Sequence, residues 1–215
     1  MKVYFISGLG ADKRVFNNIV LQKDFEPEFL NWINPEKDET LENYSLRLAQ
    51  KINFNEPFAL VGLSMGGMIA VEIAKHYKVD KLILLSSVPK SAELPRLYRM
   101  SMYFKFHKML PVAVFKSASL LKWFFNVDTP ENKILMKQIV KDADTNFIKW
   151  ALNAIVLWKN DVVPGSLYHI HGDHDFLLPL RNTTATHIIK GGSHMMVLNK
   201  AKEVSLLINN ILSKR

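Results

Sequence analysis

Residues Phe58-Ala59-Leu60-Val61-Gly62-Leu63-Ser64-Met65-Gly66-Gly67 decide the fold, because here an apolar run ends in a serine flanked by glycines. The run has no polar face, which is typical of a parallel strand covered by helices on both sides. A helical stretch follows at residues 68–77. Gly62-x-Ser64-x-Gly66 between a strand and a helix matches the G-x-S-x-G elbow, a sharp turn that exposes the serine hydroxyl. Ser64 is therefore a candidate nucleophile, and the alternative is a glycine-rich turn with an incidental serine.

Short apolar runs recur along the chain, and segments with helical periodicity separate them. The six strand candidates are residues 3–6, 28–32, 58–63, 81–85, 167–171 and 185–189. Helical stripes of apolar residues occupy residues 40–52 and 197–211. Such alternation is typical of βα units, so we predict a three-layer α/β fold with a mainly parallel sheet of about six strands.

The alternation breaks between residues 88 and 163, where helical stretches rich in aromatic residues and methionine replace strands. A structureless loop of this length would be unusual, so we predict a helical insertion. It would cover the carboxyl ends of the strands, where ligands of α/β proteins bind, and act as a lid. Its basic residues include Lys90, Arg96, Arg99, Lys105, Lys108, Lys116 and Lys122. They favour an ordinary amphipathic cap, with weak contact to an anionic lipid surface as the alternative.

The composition limits the class of protein further. A chain of 215 residues with 48% hydrophobic residues suits one domain, residues 1–215, including the insertion. The net charge of +8 comes without a recognisable nucleic-acid module, so we expect no nucleic-acid partner. The absence of cysteine excludes thiolate catalysis and cysteine-based zinc sites. Residues 3–6 are too short for a secretory signal, which predicts a cytoplasmic protein of undetermined oligomeric state.

A second glycine-rich turn, Ser7-Gly8-Leu9-Gly10-Ala11-Asp12, directly follows the first strand candidate. Together with the elbow, it resembles the α/β-hydrolase family, whose His-Gly-x-Gly oxyanion turn lies at this place. The resemblance implies that the backbone N–H groups of Leu9 and Met65 form the oxyanion hole. Ser7 replaces the usual histidine, and the family's N-terminal hairpin is lacking. The alternative is a glycine turn that serves only the first βα connection.

The same resemblance implies that an acid and then a histidine follow the serine along the chain. The predicted fifth strand leads into Gly172-Asp173-His174-Asp175, where the family places its acid at the position of Asp175. Asp173 is the nearer rival, with a turn-forming role as its alternative. Gly191-Gly192-Ser193-His194 precedes the last helix and resembles the loop of the catalytic histidine.

The resemblance implies a serine hydrolase that cleaves a carboxylic ester or thioester of a small acyl substrate, without a cofactor or metal. Ser64, His194 and Asp175 would form the triad, and the reaction would pass through an acyl-enzyme intermediate. Two alternatives stay open. One is a protein of the same fold that binds a ligand without turnover. The other is a zinc-dependent hydrolase that uses His169, His171, Asp173 and His174.

Overall fold

Six strands form one entirely parallel sheet in the computed structural model, which describes residues 1–96, 98, 100 and 127–214. The strands are β1 (Lys2–Ile6), β2 (Glu26–Phe29), β3 (Phe58–Leu63), β4 (Lys81–Leu85), β5 (Leu167–Gly172) and β6 (His187–Ile189). Their order in the sheet is β2-β1-β3-β4-β5-β6, so β3 and β4 are central. The predicted mainly parallel sheet of about six strands is confirmed.

Helices connect the strands and cover both faces of the sheet. They are α1 (Leu41–Ala49), α2 (Met65–His76), α3 (Pro130–Asp142), α4 (Thr145–Leu157), α5 (Met196–Asn199) and α6 (Ala201–Leu212). Three short 310 helices add Lys13–Phe16, Ser91–Glu93 and Leu180–Asn182. The side chains of Thr40, Thr129 and Asp144 accept backbone N–H bonds at the starts of α1, α3 and α4. These caps explain where the three helices begin.

The central strands are buried on both faces because successive side chains enter opposite hydrophobic layers. In β3, Leu60 belongs to the layer with α1 and α2, whereas Val61 belongs to the layer with α5 and α6. Every residue of β3 is buried. This double coverage is the physical reason for the continuous apolar run in the sequence.

Three elements differ from the sequence prediction by two residues or more in the strands or by a break in the helix. The sixth strand, β6, begins at His187 rather than at residue 185. The second strand is β2, at residues 26–29 rather than 28–32, and it lies at the edge of the sheet with mostly exposed residues. Leu30 and Trp32, which follow β2, contribute to the core outside the strand. The predicted last helix is divided into α5 and α6 at Lys200, where the backbone is no longer helical, with φ of −124°.

The described part of the insertion packs on both faces of the sheet. Helix α3 places Met136, Ile139 and Val140 in the layer of α6, whereas α4 joins the layer of α1 and α2. Trp150 of α4 lies with its ring centroid 4.3 Å from that of Tyr44. Most of the predicted lid, residues 97, 99 and 101–126, lies outside the described residues. The lid and the single-domain organisation stay predictions.

Within the residues that the structure describes, no helix is both long and apolar enough to cross a membrane.

Candidate active site

Ser64 lies at the turn between β3 and α2, in the backbone conformation that a nucleophile elbow requires. Its φ of 52° falls in the left-handed region, which a residue with a side chain adopts only at a cost. Four hydrogen bonds at its backbone hold it there: Ser64 N–H donates to Leu85 O at 2.9 Å, and Ser64 O accepts from Gly67 N at 2.9 Å, Met68 N at 3.4 Å and Ser87 Oγ at 2.7 Å. The neighbouring strand β4 therefore helps to fix the strained residue.

Gly66 is required because the elbow packs directly against the end of β1. A Cβ atom at Gly66 would lie 2.2 Å from Ile6 O and 2.3 Å from Ser7 O. Both are backbone atoms, which cannot move aside as a flexible side chain could. The turn that begins at Ser7 is therefore held against the elbow, and a Cβ atom at Gly8 would lie 3.3 Å from Ser64 Cβ.

The structure brings Ser64, His194 and Asp175 into one hydrogen-bonded line. The distance between His194 Nε2 and Ser64 Oγ is 3.0 Å, and His194 Nδ1 lies 2.8 Å from Asp175 Oδ2. A carboxylate only accepts hydrogen bonds, so Nδ1 of His194 carries the proton. Nε2 is then an acceptor for the serine hydroxyl. A neutral imidazole in this tautomer can take the proton of Ser64, which is the geometry that serine catalysis needs.

Asp175 is a buried carboxylate whose charge is held by its neighbours. Its Oδ1 atom accepts the backbone N–H groups of Leu177 at 2.9 Å and Leu178 at 2.8 Å. Burial alone would raise the pKa of Asp175, but the charge and hydrogen bond of His194 and the backbone donors together hold it below the usual value. Asp175 therefore stays ionised and can orient the imidazole.

The loops that carry the acid and the histidine touch each other through glycine. A Cβ atom at Gly172 would lie 2.0 Å from Gly192 O, and His174 N–H donates to that same oxygen at 2.9 Å. His194 follows this contact and is 2% exposed. The close approach brings the two loops near enough for the hydrogen bond between His194 and Asp175.

The predicted oxyanion donors lie on the two turns that meet at Ser64. Within the described residues, the backbone N–H groups of Leu9 and Met65 donate no hydrogen bond, and Met65 is the first residue of α2. Ser7, at the family's histidine position, donates from Oγ to Ala11 O at 3.0 Å. Trp32 Nε1 donates to the same oxygen at 2.7 Å. The Ser7 hydroxyl therefore bonds across the turn and helps to hold it closed.

The zinc alternative requires four side chains around one point, and the structure does not bring them together. They are His169, His171, Asp173 and His174. His174 Nδ1 lies 2.8 Å from Asp173 Oδ1 on the exposed side of the loop, where Asp173 Oδ1 also accepts the N–H of Gly191. His169 and His171 are fully buried and contact each other. No three histidine, aspartate or glutamate side chains among the described residues form a cluster that could hold a metal ion.

Two buried histidines line up behind Asp175: His171 lies next to Asp175, and His169 lies next to His171. The sequence does not predict this placement. His171 Nε2 lies 2.7 Å from Leu178 O and 3.4 Å from Asp175 Oδ2. His171 Nδ1 lies 2.9 Å from His169 Nε2. The His-x-His spacing in β5 places both rings on one face of the strand, which is the signal that could have indicated a pair.

Comparisons with known proteins point to one fold. No protein-family model and no curated protein matches this chain. Among solved structures, a lipase-esterase related protein from Clostridium acetobutylicum is 19% identical, with a TM-score of 0.68 over 98% of this chain and 93% of that one. MenH from S. aureus is 17% identical, with a TM-score of 0.74 over 99% and 93% of the two chains.

A third similar structure is a thermophilic esterase from Thermogutta terrifontis, 17% identical with a TM-score of 0.73 over 99% of this chain and 89% of that one. These likenesses extend over nearly the whole length of each protein. The chain therefore has the α/β-hydrolase fold, as the sequence resemblance predicts.

Proposed function

We propose that this protein is a serine hydrolase that cleaves a carboxylic ester or thioester of a small acyl substrate. The observation that carries the proposal is the continuous line from Asp175 Oδ2 through His194 to Ser64 Oγ, with separations of 2.8 and 3.0 Å. The fold supports a hydrolase, and two of the similar structures are named for lipase or esterase activity. Fold alone does not define an activity, so the proposal depends on the site.

The first half of the reaction forms an acyl-enzyme. Ser64 Oγ attacks the substrate carbonyl carbon while His194 Nε2 takes the hydroxyl proton. The carbonyl oxygen becomes an oxyanion that accepts hydrogen bonds from the N–H groups of Leu9 and Met65, at the amino end of α2 where the helix dipole favours negative charge. Collapse of this intermediate breaks the bond to the leaving alcohol or thiol, which receives the proton from His194.

Water completes the cycle. His194 Nε2 removes a proton from a water molecule whose oxygen attacks the acyl carbon, and a second oxyanion forms in the same place. Its collapse breaks the bond to Ser64 Oγ, which regains the proton from His194. The carboxylic acid leaves, and Asp175 stays ionised while it stabilises the imidazolium in both halves.

A fluorophosphonate probe and a series of p-nitrophenyl esters test the proposal together. The probe should modify Ser64 in the wild-type protein, and Ser64→Ala should lose both labelling and turnover of every ester. Chelators should leave the turnover unchanged. An unlabelled Ser64 in folded protein without turnover would favour the ligand-binding alternative. Turnover that survives Ser64→Ala but is lost to a chelator would favour the zinc alternative.

The ester series also reports on the acyl group. The substrate with the highest kcat/KM gives the chain length that the site accepts. The lid, the cytoplasmic location and contact with anionic lipid are separate proposals on which the triad chemistry does not depend.

A further inference from the structure

Asp175 has one close polar neighbour, His171, to which the proposed reaction assigns no role. Its Oδ1 atom accepts two backbone N–H groups, and its Oδ2 atom accepts from His194. His171 Nε2 lies 3.4 Å from that same Oδ2 atom, and both side chains are fully buried. Low polarity around two buried groups strengthens their electrostatic interaction.

The hydrogen-bond partners of His171 determine which of its two ring nitrogens carries the hydrogen. Leu178 O can only accept, and it lies 2.7 Å from His171 Nε2, so Nε2 is the protonated nitrogen. His171 Nδ1 is then an acceptor, and His169 Nε2 donates to it at 2.9 Å. His169 therefore locks the ring of His171 in one tautomer and one orientation.

Both imidazoles are neutral in the neutral pH range. Burial lowers the pKa of His169 to about 4, and His171 adds to that shift. Burial also lowers the pKa of His171, although the Asp175 charge opposes it. A neutral imidazole carries hydrogen on only one of its ring nitrogens. His169 places it on Nε2, in the shorter contact with His171, so His169 Nδ1 faces Thr184 O at 3.2 Å without a hydrogen.

We propose that His171, held in place by His169, is a positioning residue with two effects. It anchors the turn of residues 172–178, and it weakens Asp175 Oδ2 as a hydrogen-bond acceptor for His194, an effect that we call tempering. The proposal rests on the proposed serine hydrolase function. The anchor is the bond to Leu178 O, which closes the turn that carries the acid. The tempering comes from the hydrogen on Nε2, whose partial positive charge stabilises negative charge on the nearby Oδ2.

Few other ionisable groups face this oxygen within the described residues. They are His194 on the loop after β6 and Tyr98 on the segment after β4, and His169 stands behind His171. Burial raises the pKa of Tyr98, with the charge of Asp175 adding to the effect, so its phenol is neutral. His171 is therefore the buried donor whose removal should change Asp175 without adding or removing a formal charge at neutral pH.

Two substitutions test whether the N–H group at the position of His171 Nε2 is responsible for both effects. His171→Leu removes both, because leucine has no donor. His171→Gln keeps an amide N–H near the position of Nε2, so it can still donate to Leu178 O, but it loses the acceptor for His169. His187→Gln is the matched control, since His187 lies in the edge strand β6 and contacts Thr186 rather than the site.

The experiment measures the fluorophosphonate labelling rate of Ser64 against pH, with thermal unfolding to establish that each variant is folded. His171→Leu should label about 10- to 100-fold more slowly, as expected for a displaced catalytic group. The pH at which its labelling rate is half-maximal on the acid side, the acid midpoint, should move up by about half a pH unit, because a more strongly accepting Oδ2 favours the protonated form of His194. His171→Gln should recover most of the rate, and His187→Gln should match wild type.

A second readout does not need a reactive serine. The proton between His194 Nδ1 and Asp175 should give a low-field 1H NMR signal that Asp175→Ala removes, and His171→Leu should move it further downfield. A folded His171→Leu protein with the wild-type rate, midpoint and signal would overturn the proposal, as would a lower Tm with no other change. If His171→Leu does not fold, His171→Asn takes its place, because its shorter amide keeps an acceptor for His169 but does not reach the position of Nε2. Unchanged midpoint and signal in folded His171→Asn would then overturn the proposal. Wild-type protein whose Ser64 is not labelled would contradict the hydrolase proposal, while the NMR shift would still decide the role of His171.

Discussion

The elbow, residues 62–67, and the acid turn, residues 172–178, place Ser64 and Asp175, the two ends of the hydrogen-bonded line through His194, by different means. In the elbow, backbone atoms meet backbone atoms: a side chain at Gly66 would collide with Ile6 O and Ser7 O. In the acid turn, hydrogen bonds dominate, from Leu177 and Leu178 to Asp175 and from His171 to Leu178. The first region is fixed mainly by shape. The second adds polar contacts around Asp175 to one tight backbone approach, of Gly172 to Gly192 O. Steric fixation should fail abruptly, whereas polar fixation should weaken by degrees.

The largest effect should come from adding a methyl group inside the elbow. Gly66→Ala places its Cβ 2.2 Å from a backbone oxygen, so the loss of folding stability should exceed about 4 kcal/mol. Gly165→Ala is the control, because a Cβ there meets nothing within 4 Å. Chemical denaturation should give little or no folded Gly66→Ala protein and a wild-type curve for Gly165→Ala. Equal stability of the two variants would contradict steric fixation.

In the acid turn, Asp175→Asn should remove activity and keep the fold. An asparagine oxygen can still accept the N–H groups of Leu177 and Leu178, but a neutral amide no longer holds His194 in the required tautomer or stabilises its cation. We expect kcat for the best p-nitrophenyl ester to fall by about 10⁴-fold. Asp173→Asn, on the exposed side of the same loop, should keep kcat within about threefold. The reverse ranking would make Asp173 the acid.

Acid should destabilise the region behind the acid turn selectively. The pKa of His169 is about 4 in the folded protein, below its usual 6.5, so the unfolded chain binds more protons between these values. The contribution of His169 to stability is therefore complete above pH 6.5 and is lost as the pH falls towards 4. Thermal unfolding across this window should show a shallower decline for His169→Gln than for wild type. Parallel declines would contradict a buried neutral His169.

The smallest effect should come from Ser87→Ala, which removes one hydrogen bond to Ser64 O. That oxygen keeps Gly67 N as a donor, so the loss should be about 1 kcal/mol, or a Tm lower by roughly 2–4 °C. Ser166→Ala removes a similar bond, to Val79 O at 3.0 Å, near the amino ends of β4 and β5 and away from the elbow. Both variants should lose similar stability, but only Ser87→Ala should also label more slowly. Identical labelling would show that Ser87 does not support the elbow.

The elbow was predictable from the sequence because its constraints are local. Strand, glycine spacing and helix all occur within twenty residues, so the pattern can be recognised locally, although the contact that requires Gly66 is made with Ile6 and Ser7 at the distant end of β1. The sheet was predictable for a related reason, since burial on both faces leaves continuous apolar runs such as β3. The edge strand β2 begins two residues and ends three residues before its predicted bounds, because its exposed side chains lack that signal.

The acid turn was only partly predictable. The family resemblance indicated Asp175 over Asp173, and the structure places Asp175 against His194. His169 and His171 were read only as part of a zinc alternative, since a sequence pattern does not say which atoms two rings face. Their roles depend on Leu178 O and on each other. The division of the last helix at Lys200 was likewise hidden, because its apolar stripe continues across the break.

The central claim, that Ser64 carries the acyl group, is tested most directly by intact-protein and peptide mass spectrometry after rapid acid quenching of the reaction with a p-nitrophenyl ester. The account predicts a mass increase equal to the acyl group on the peptide that contains Ser64, and no increase in Ser64→Ala. Turnover in which the wild-type protein is never acylated at Ser64, or that continues in Ser64→Ala, would contradict it.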